Sequence, residues 1–289
     1  MSLLSPRDVN FIKLKSLKKV DLFDFCDKFS VQSSADITQT ISSILKEFDN
    51  KKIATDQINT YIKNLYKEIR EDEIDLIGAT HGAIIRELNK VDSHIWGMVQ
   101  GAVDSHIQAN YVRKYFLYDD VIKAIENKLY STIKSYTLCT WFNHWSTVFL
   151  EDLICENGNI VPIIKKVKGV DVIWNEQPVD IKITNLPKEW FKDKKTIEDA
   201  IKNPILVAKY LYEYQGEGRF GDENRLFILI YDKTNPSESW KIKRDYNLIK
   251  EKVGEFFGQK TELDPVNFSY GKKQKKQYQA HSKVLFIVK

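Results

Sequence analysis

Long hydrophobic runs are absent from this sequence of 289 residues. No window of about 18 residues is both apolar and free of charge, so we expect no membrane-spanning helix. The segment from Met1 to Arg7 lacks the apolar core of a signal peptide, which predicts a cytoplasmic protein. The three cysteines are an odd number without paired short spacing. They argue against a disulfide framework or a zinc finger and favour a reducing compartment.

Motifs for several kinds of catalysis are missing as well. The sequence contains no glycine-rich phosphate loop, no nucleophile elbow and no His-Glu-X-X-His motif. We therefore expect no nucleotide cofactor. The hydrophobic fraction of 43% is enough for a substantial core, and the net charge is +4. That charge is compatible with a polyanionic partner but does not require one.

The first part of the chain has the apolar spacing of helices almost throughout. Residues 37–48 carry apolar side chains at helical intervals, and Asp36 is able to start that helix. Further helices are predicted over 58–69, 83–88 and 118–129. We assign residues 1–128 to a mainly helical region.

Strands and helices alternate in the remainder of the chain. An apolar stripe from Leu138 to Leu153 predicts a helix, whose Trp141 and Trp145 we place in the core. Strands are predicted over 160–167, 169–174, 177–184, 226–231 and 283–288, with helices beginning at Thr196 and Pro204 and another spanning 240–257. This order implies an α/β (α+β) domain over 129–289, with a mixed central β-sheet flanked by helices.

Two of the predicted strands carry charged residues among apolar ones. Asp171 lies on strand 169–174, and Asp180 and Lys182 lie on strand 177–184. Because alternate side chains of a strand share a face, Asp180 and Lys182 should project together. The other face of strand 177–184, which we predict to enter the core, consists of Val179, Ile181 and Ile183.

The spacing also predicts that the two acids face each other. If residues 175–176 form a two-residue hairpin loop, Asp171 lies directly opposite Asp180, whereas a three-residue loop would shift this register. Directly opposed side chains have Cβ atoms about 4.5–5.5 Å apart, and like charges at that distance destabilise a sheet. A divalent cation between the two carboxylates would remove that repulsion.

Paired carboxylates of this kind suit Mg²⁺, which prefers hard oxygen ligands and keeps several waters. Asp171 and Asp180 would hold the ion, with the backbone carbonyl of Ile181 as a further ligand. Glu151, on the preceding predicted helix, could supply a third carboxylate, and Asp152 competes with it for that role. Such an ion activates water for attack on a phosphodiester, and a neighbouring lysine can orient that water or stabilise transition-state charge.

This arrangement resembles the PD-(D/E)XK nuclease superfamily, and within it the type II restriction endonucleases. The resemblance covers residues 140–232, about a third of the chain. Asp171 corresponds to the family's first acid and Glu151 to its helical glutamate. Asp180 and Lys182 correspond to the acid and the lysine of the second motif. Val170 stands where the family pattern has proline.

The resemblance implies a restriction-endonuclease-like core, one or two Mg²⁺ ions per active site, cleavage of double-stranded DNA and, for restriction enzymes, a homodimer. We therefore expect a Mg²⁺-dependent DNA endonuclease in which residues 1–128 serve DNA binding or dimerisation. A repair or recombination nuclease with the same core is one alternative. Others are a non-catalytic DNA-binding protein that kept the fold and a helical interaction protein with an incidental charged hairpin.

Lysines suited to contact DNA phosphates occur in two places. Lys188 and Lys192 closely follow the second acidic strand. The second place is a basic tract over 271–278, which contains Lys272, Lys273, Lys275 and Lys276. Contacts to phosphates position a protein on DNA without reading its sequence. A solvated loop between a helix and the last strand explains this tract equally well.

Overall fold

A computed structural model describes residues 3–95, 102–214, 223–259, 262–270 and 276–289. The chain divides into two compact units. The first comprises Met1–Gly78, Leu153–Ile242 and Asn247–Lys289, and the second comprises Ala79–Asp152 and Lys243–Tyr246. These bounds differ from the predicted boundary near residue 128, because the helices before Gly78 share a hydrophobic core with the sheet.

A mixed β-sheet lies at the centre of the first unit. Its described strands are β1 (Ile160–Val167), β2 (Val170–Trp174), β3 (Gln177–Thr184), β4 (Arg225–Tyr231), β5 (Asp264–Tyr270) and β6 (Lys276–Val288). Their order is β1-β2-β3-β4-β6-β5, in which β3, β4 and β6 run parallel and the remaining pairs are antiparallel. The predicted mixed central sheet flanked by helices is confirmed.

Helices are present in both units. They are α1 (Pro6–Lys15), α2 (Lys19–Lys28), α3 (Ile37–Asp49), α4 (Thr55–Ile77), α5 (His81–Leu88), α6 (Val103–Ile107), α7 (Tyr118–Ala124), α8 (Tyr130–Cys155), α9 (Lys188–Lys192), α10 (Ile197–Lys202), α11 (Pro204–Tyr214) and α12 (Tyr246–Phe257). Wide π-helical turns span Gln108–Val112 and Ile125–Leu129, and a 3₁₀ helix spans Pro236–Arg244. Among the described residues, no helix is both long enough and apolar enough to cross a lipid bilayer.

The N-terminal helices pack on the first strands of the sheet. Leu14 of α1 and Ile62 of α4 belong to one buried cluster with Val161 of β1 and Ile173 of β2. As predicted, Asp36 caps the beginning of α3. Its side chain accepts a 2.7 Å hydrogen bond from the backbone N–H of Thr38, the second residue of the helix. The cluster ties residues before Gly78 to the strands that carry the acidic residues.

A second buried cluster joins α9, α10 and α11 to the other end of the sheet. Trp190 and Tyr212 on the helices lie in it with Phe227 of β4 and Phe268 of β5. The prediction that strand 226–231 is covered on both faces is confirmed for β4, whose residues are buried up to its last position. α10 begins directly after the predicted Thr196, whose side chain caps the helix.

Residues Lys243–Tyr246 contribute contacts within the second unit. Arg244 donates from Nη1 to the carbonyl oxygens of Leu88 at 3.2 Å and Val91 at 2.7 Å. Lys243 donates from Nζ to the Oδ1 of Asn143 on α8 at 2.8 Å. The two bonds from Arg244 satisfy backbone carbonyl groups at and just after the end of α5 and connect them to residues 243–246.

Two elements differ from the secondary-structure predictions. The predicted helix over 240–257 is a 3₁₀ helix up to Arg244, and α12 begins only at Tyr246. A 3₁₀ helix has about 3 residues per turn, so apolar spacing alone separates it poorly from an α-helix. The edge strand β5 was not predicted, because it contains Pro265 and fully buries only Val266 and Phe268. The basic tract therefore follows a strand rather than a helix.

The core prediction was wrong for four residues. Trp141, Trp145, Ile181 and Ile183 are only half-buried, although Val179 is fully buried as expected. Periodicity shows which side chains share a face of a helix or strand. Whether another element covers that face depends on tertiary packing, which a local pattern does not contain.

Candidate active site

The hairpin between β2 and β3 has the predicted two-residue loop. Trp174 pairs with Gln177 across the loop, and the register continues through Ile173 and Pro178. The two loop residues have positive φ values, 47° at position 175 and 57° at position 176. Left-handed backbone at both loop positions is the geometry of a type I′ turn, which matches the twist of an antiparallel pair.

Glu176 is held in this turn by two N-terminal helices. A glutamate with positive φ is uncommon, but its carboxylate pairs with the Nζ of Lys13 on α1. It also accepts a 3.0 Å hydrogen bond from the Nδ2 of Asn59 on α4. The side chain of Lys13 is completely buried, and burial lowers its pKa. Helices α1 and α4 therefore hold the loop that sets the register of β2 and β3.

The acidic pair lies where the backbone pairing of β2 and β3 ends. The last paired positions are Val172 and Val179, so Asp171 and Asp180 are the next residues outward. The Oδ2 of Asp171 accepts a 2.7 Å hydrogen bond from the backbone N–H of Ile181. Because the N–H and C=O of one strand residue face the same neighbour, the carbonyl oxygen of Ile181 also lies on the side of β2.

Both carboxylates occupy surroundings that disfavour their charge. Burial raises the pKa of Asp171, in opposition to the hydrogen bond from Ile181 and the charges of Lys166 and Arg225. Burial likewise raises the pKa of Asp180, and the negative charge of Asp171 raises it further. The carboxylates repel each other, and a cation bound between them would favour the ionised form of both.

Two residues of this cluster, Glu223 and Arg225, were not predicted from the sequence. The Nε of Arg225 lies 3.2 Å from the Oδ2 of Asp180, and its Nη2 donates to the Oε2 of Glu223 at 3.4 Å. Arg225 is the Cα partner of Asp180 in the parallel pairing of β3 with β4. The sequence signal was weak: a charged residue directly before the buried run of β4. Only the sheet register shows that this arginine reaches the acidic pair.

Glu223 also explains a glycine at the turn between β1 and β2. Gly169 has φ +73°, which favours glycine, and a Cβ built there would lie 2.8 Å from the Oε1 of Glu223. The carboxylate of Glu223 therefore packs against the backbone two residues before Asp171. A side chain at position 169 would displace it.

The remaining predicted catalytic residues lie in different units. Lys182 is half-buried on β3, two positions after Asp180, and therefore shares its face of the strand. Glu151 and Asp152 lie on the α8 segment of the second unit. The Oδ2 of Asp152 lies 2.9 Å from the Nε2 of His81, so this carboxylate is engaged within its own unit. The metal-binding role of Glu151 stays a prediction.

The structure describes only part of the predicted DNA-contacting set. Lys188 and Lys192 are exposed on α9, which directly follows β3, and Lys192 pairs with Glu189 at 3.2 Å. Lys276 is exposed at the first position of β6. The predicted contacts Lys272, Lys273 and Lys275 lie outside the described residues.

The donor atoms of the site are oxygens, which are the ligand atoms that Mg²⁺ prefers. Within the described ranges, no group of three or more His, Cys, Asp or Glu side chains is placed to hold a metal ion. The donors predicted from the sequence are the carboxylates of Asp171 and Asp180 and the carbonyl of Ile181, and the structure adds the carboxylate of Glu223 to the same cluster. These are hard oxygen atoms, which fit Mg²⁺ with water completing its coordination.

No family model matches this chain, and neither a curated protein nor a solved structure does so. The class of protein therefore has to be inferred from the fold and from the chemistry of the acidic cluster.

Asp180→Asn is expected to leave the fold intact and to raise its free energy of unfolding by up to about 1 kcal/mol. The folded pKa of Asp180 lies above its ordinary value of 3.8, so the native state holds this proton more tightly. Wild-type stability therefore falls as the pH rises from 3.8 through the folded pKa, and the variant lacks that contribution. Thermal unfolding from about pH 4 to pH 8 measures the difference.

The same melts with added Mg²⁺ test the cation site. Mg²⁺ should raise the melting temperature of the wild type and have little effect on Asp180→Asn, because bound ligand stabilises the native state. Asp72→Asn, on the exposed surface of α4, is the matched control and should behave like the wild type. Marked destabilisation of Asp180→Asn would instead identify Asp180 as a structural partner of Arg225.

Proposed function

We propose that this chain is a Mg²⁺-dependent endonuclease that hydrolyses DNA phosphodiester bonds, built on a restriction-endonuclease-like sheet. One observation carries the proposal: Asp171 and Asp180 lie on adjacent strands, half-buried and with raised pKa values, on the sheet that also carries Lys182. Holding two repelling carboxylates together opposes folding, and acids whose pKa values are shifted in this way concentrate at functional sites.

The acidic residues would hold Mg²⁺ through one carboxylate from each strand and the carbonyl of Ile181. When bound, Mg²⁺ polarises a phosphodiester and lowers the pKa of a water. Asp171 is positioned for this by its 2.7 Å hydrogen bond from Ile181, which fixes the orientation of the carboxylate. The raised pKa values imply that metal binding would displace protons and strengthen as the pH rises.

Lys182 would act on the attacking water or on the phosphate. It shares a strand face with Asp180, so its ammonium projects to the same side of β3. An ammonium there can orient the water and stabilise the negative charge that develops on the phosphate oxygens. The Nε of the neighbouring Arg225 lies 3.2 Å from the Oδ2 of Asp180 and adds positive charge beside that carboxylate.

The substrate we propose is double-stranded DNA, bound by a homodimer. Lys188 and Lys192 on α9 are exposed within ten residues of Lys182 along the chain, on the helix that follows β3. Lysines in this place suit phosphates on either side of the scissile bond. A type II restriction enzyme is the subtype we favour.

A second candidate is a DNA-binding protein that has kept the fold without cleavage. Arg225 favours it, because a guanidinium 3.2 Å from Asp180 already supplies positive charge to the acidic pair. In such a protein the arginine would replace the divalent cation permanently.

The decisive experiment is incubation of the purified chain with unmethylated phage DNA, with Mg²⁺ or with EDTA. Asp171→Asn is the inactive comparison, because it removes one ionised ligand while keeping a side chain of the same shape. Discrete fragments that require Mg²⁺ and disappear in the variant support a restriction enzyme. Nicks or a smear under the same controls indicate a repair-type nuclease.

Absence of cleavage would contradict the enzymatic proposal for that DNA, and a gel shift at two salt concentrations then separates the other candidates. Retarded DNA whose retardation weakens at high salt supports the non-catalytic DNA-binding protein. No retardation at either concentration supports a helical interaction protein.

A further inference from the structure

A short segment of the second unit, residues 112–120, exposes large apolar side chains. Phe116 is 98% exposed, Tyr118 75% and Leu117 59%, and Val112 is exposed as well. Phe116 and Leu117 lie between the π-helical turn that ends at Val112 and α7, whose first residue is Tyr118. Contiguous apolar side chains in water are unfavourable, and such a patch with a polar rim marks an interaction surface.

Charges of opposite sign flank the apolar residues. The basic pair is Arg113 and Lys114, the acidic pair is Asp119 and Asp120, and all four side chains are exposed. Helix dipoles explain where each pair lies, since acids suit the first turn of α7 and bases suit the end of the preceding helical turn. They do not explain why the residues between the two pairs are apolar.

We propose that the 112–120 segment is a self-association surface whose partner is a second copy of this chain. In a twofold contact, residue i of one copy meets residue j of the other, and j meets i. When two such segments lie antiparallel, the basic end of each copy meets the acidic end of the other. The apolar residues then meet in the middle, so the order basic, apolar, acidic is complementary to itself.

The size of the patch determines how strong this contact can be. Phe and Tyr side chains each bury roughly 150–250 Å², so Phe116 and Tyr118 of two copies together would bury on the order of 600–1,000 Å². Leu117 and the flanking charges bring the contact to the lower range of specific interfaces, about 1,200 Å². We therefore expect a reversible dimer with a dissociation constant in the micromolar range.

DNA fits this surface less well than a second copy does. Aromatic side chains beside basic residues can stack on bases, but Asp119 and Asp120 place two exposed negative charges directly after Tyr118. These would repel phosphates, whereas in a twofold dimer they meet Arg113 and Lys114. The dimer does not depend on nuclease activity, although it would present two copies of the active site to a symmetric DNA sequence.

Sedimentation equilibrium of the full chain, without DNA or divalent ions, tests the proposal. The wild type should show a concentration-dependent dimer. Two charge-reversed variants, Arg113→Glu with Lys114→Glu and Asp119→Lys with Asp120→Lys, should each raise the dissociation constant at least tenfold. An equal mixture of the two variants should restore the dimer, because both contacts between opposite charges are then recovered.

Recovery in the mixture also shows that each variant is folded, and Lys134→Glu on the exposed surface of α8 is the matched charge control. A wild type that stays monomeric at all concentrations overturns the proposal, as does dimerisation that neither variant changes. If the chain is monomeric, and its DNA affinity falls in Arg113→Glu with Lys114→Glu and rises in Asp119→Lys with Asp120→Lys, the surface is reassigned to DNA. Since no DNA is present in the sedimentation experiment, failure of the nuclease proposal would be seen separately.

Discussion

Lys182→Ala is expected to lower the rate of Mg²⁺-dependent DNA cleavage by about 10²–10⁴-fold, the usual contribution of a group that transfers a proton or stabilises developing charge. DNA binding should be retained, because lysines on α9 remain to contact phosphates. The effect follows from the position of Lys182 on the strand face that also presents Asp180. Single-turnover cleavage and a gel shift without divalent ion measure the two properties separately.

Lys182→Arg separates the possible roles of this lysine. Arginine keeps the positive charge but does not exchange its proton near neutral pH. Partial recovery of cleavage therefore indicates charge stabilisation, and no recovery indicates proton transfer or precise placement of water. Lys209→Ala, exposed on α11, is the matched control and should cleave like the wild type. Normal cleavage by Lys182→Ala would remove Lys182 from the proposed mechanism.

Glu176→Gln is expected to lower the free energy of unfolding by about 3 kcal/mol, because it leaves the ammonium of Lys13 buried without its counter-charge. The side chain of Lys13 is 0% exposed, and its other hydrogen-bond acceptor is the Oδ1 of Asn10 at 3.4 Å. The variant also loosens the turn that sets the register of β2 and β3. Denaturant unfolding provides the measurement.

Lys13→Met is the informative comparison for that loss. It removes the buried charge with a side chain of similar length, and Glu176, whose side chain is 41% exposed, can stay ionised in water. We expect a change within about 1 kcal/mol. If Lys13→Met lowers the free energy of unfolding as much as Glu176→Gln does, the ion pair itself stabilises the fold. The loss in Glu176→Gln would then not come from a buried ammonium without a counter-charge.

The pH dependence gives an independent check on Lys13. Burial lowers its folded pKa below 10.5, so the native state releases this proton before the unfolded state does. Stability should therefore rise as the pH increases from the folded pKa towards 10.5. The rise should be larger in Glu176→Gln, which loses the charge that raises the pKa of Lys13. It should be absent in Lys13→Met, which has no ammonium to titrate.

Much of the fold near the site was predictable from local patterns. The bounds of β1 and β3 agree with the predicted strands 160–167 and 177–184, because turn residues flank each apolar run. Side-chain caps at Asp36 and Thr196 begin α3 and α10 where expected. β5 was not predictable in this way, since an edge strand with proline and few apolar residues has little local signal.

The candidate site was predictable only in part. The two-residue loop placed Asp171 and Asp180 next to each other, because a hairpin register follows from counting outward from its turn. Arg225 and Glu223 were missed, since parallel strands are joined by long connections whose register no turn determines. The same limit applies to Lys13, which is 163 residues from its partner Glu176.

The sequence by itself therefore determined the local elements and the two-residue loop that brings Asp171 and Asp180 to the end of the β2–β3 pairing, because these depend on neighbours within a few residues. The tertiary structure alone decided what surrounds them. It buried the acids enough to raise their pKa values and brought Arg225 beside Asp180. It also placed α1 and α4 under the hairpin. These outcomes depend on contacts between distant segments, where burial and charge act through space and not along the chain.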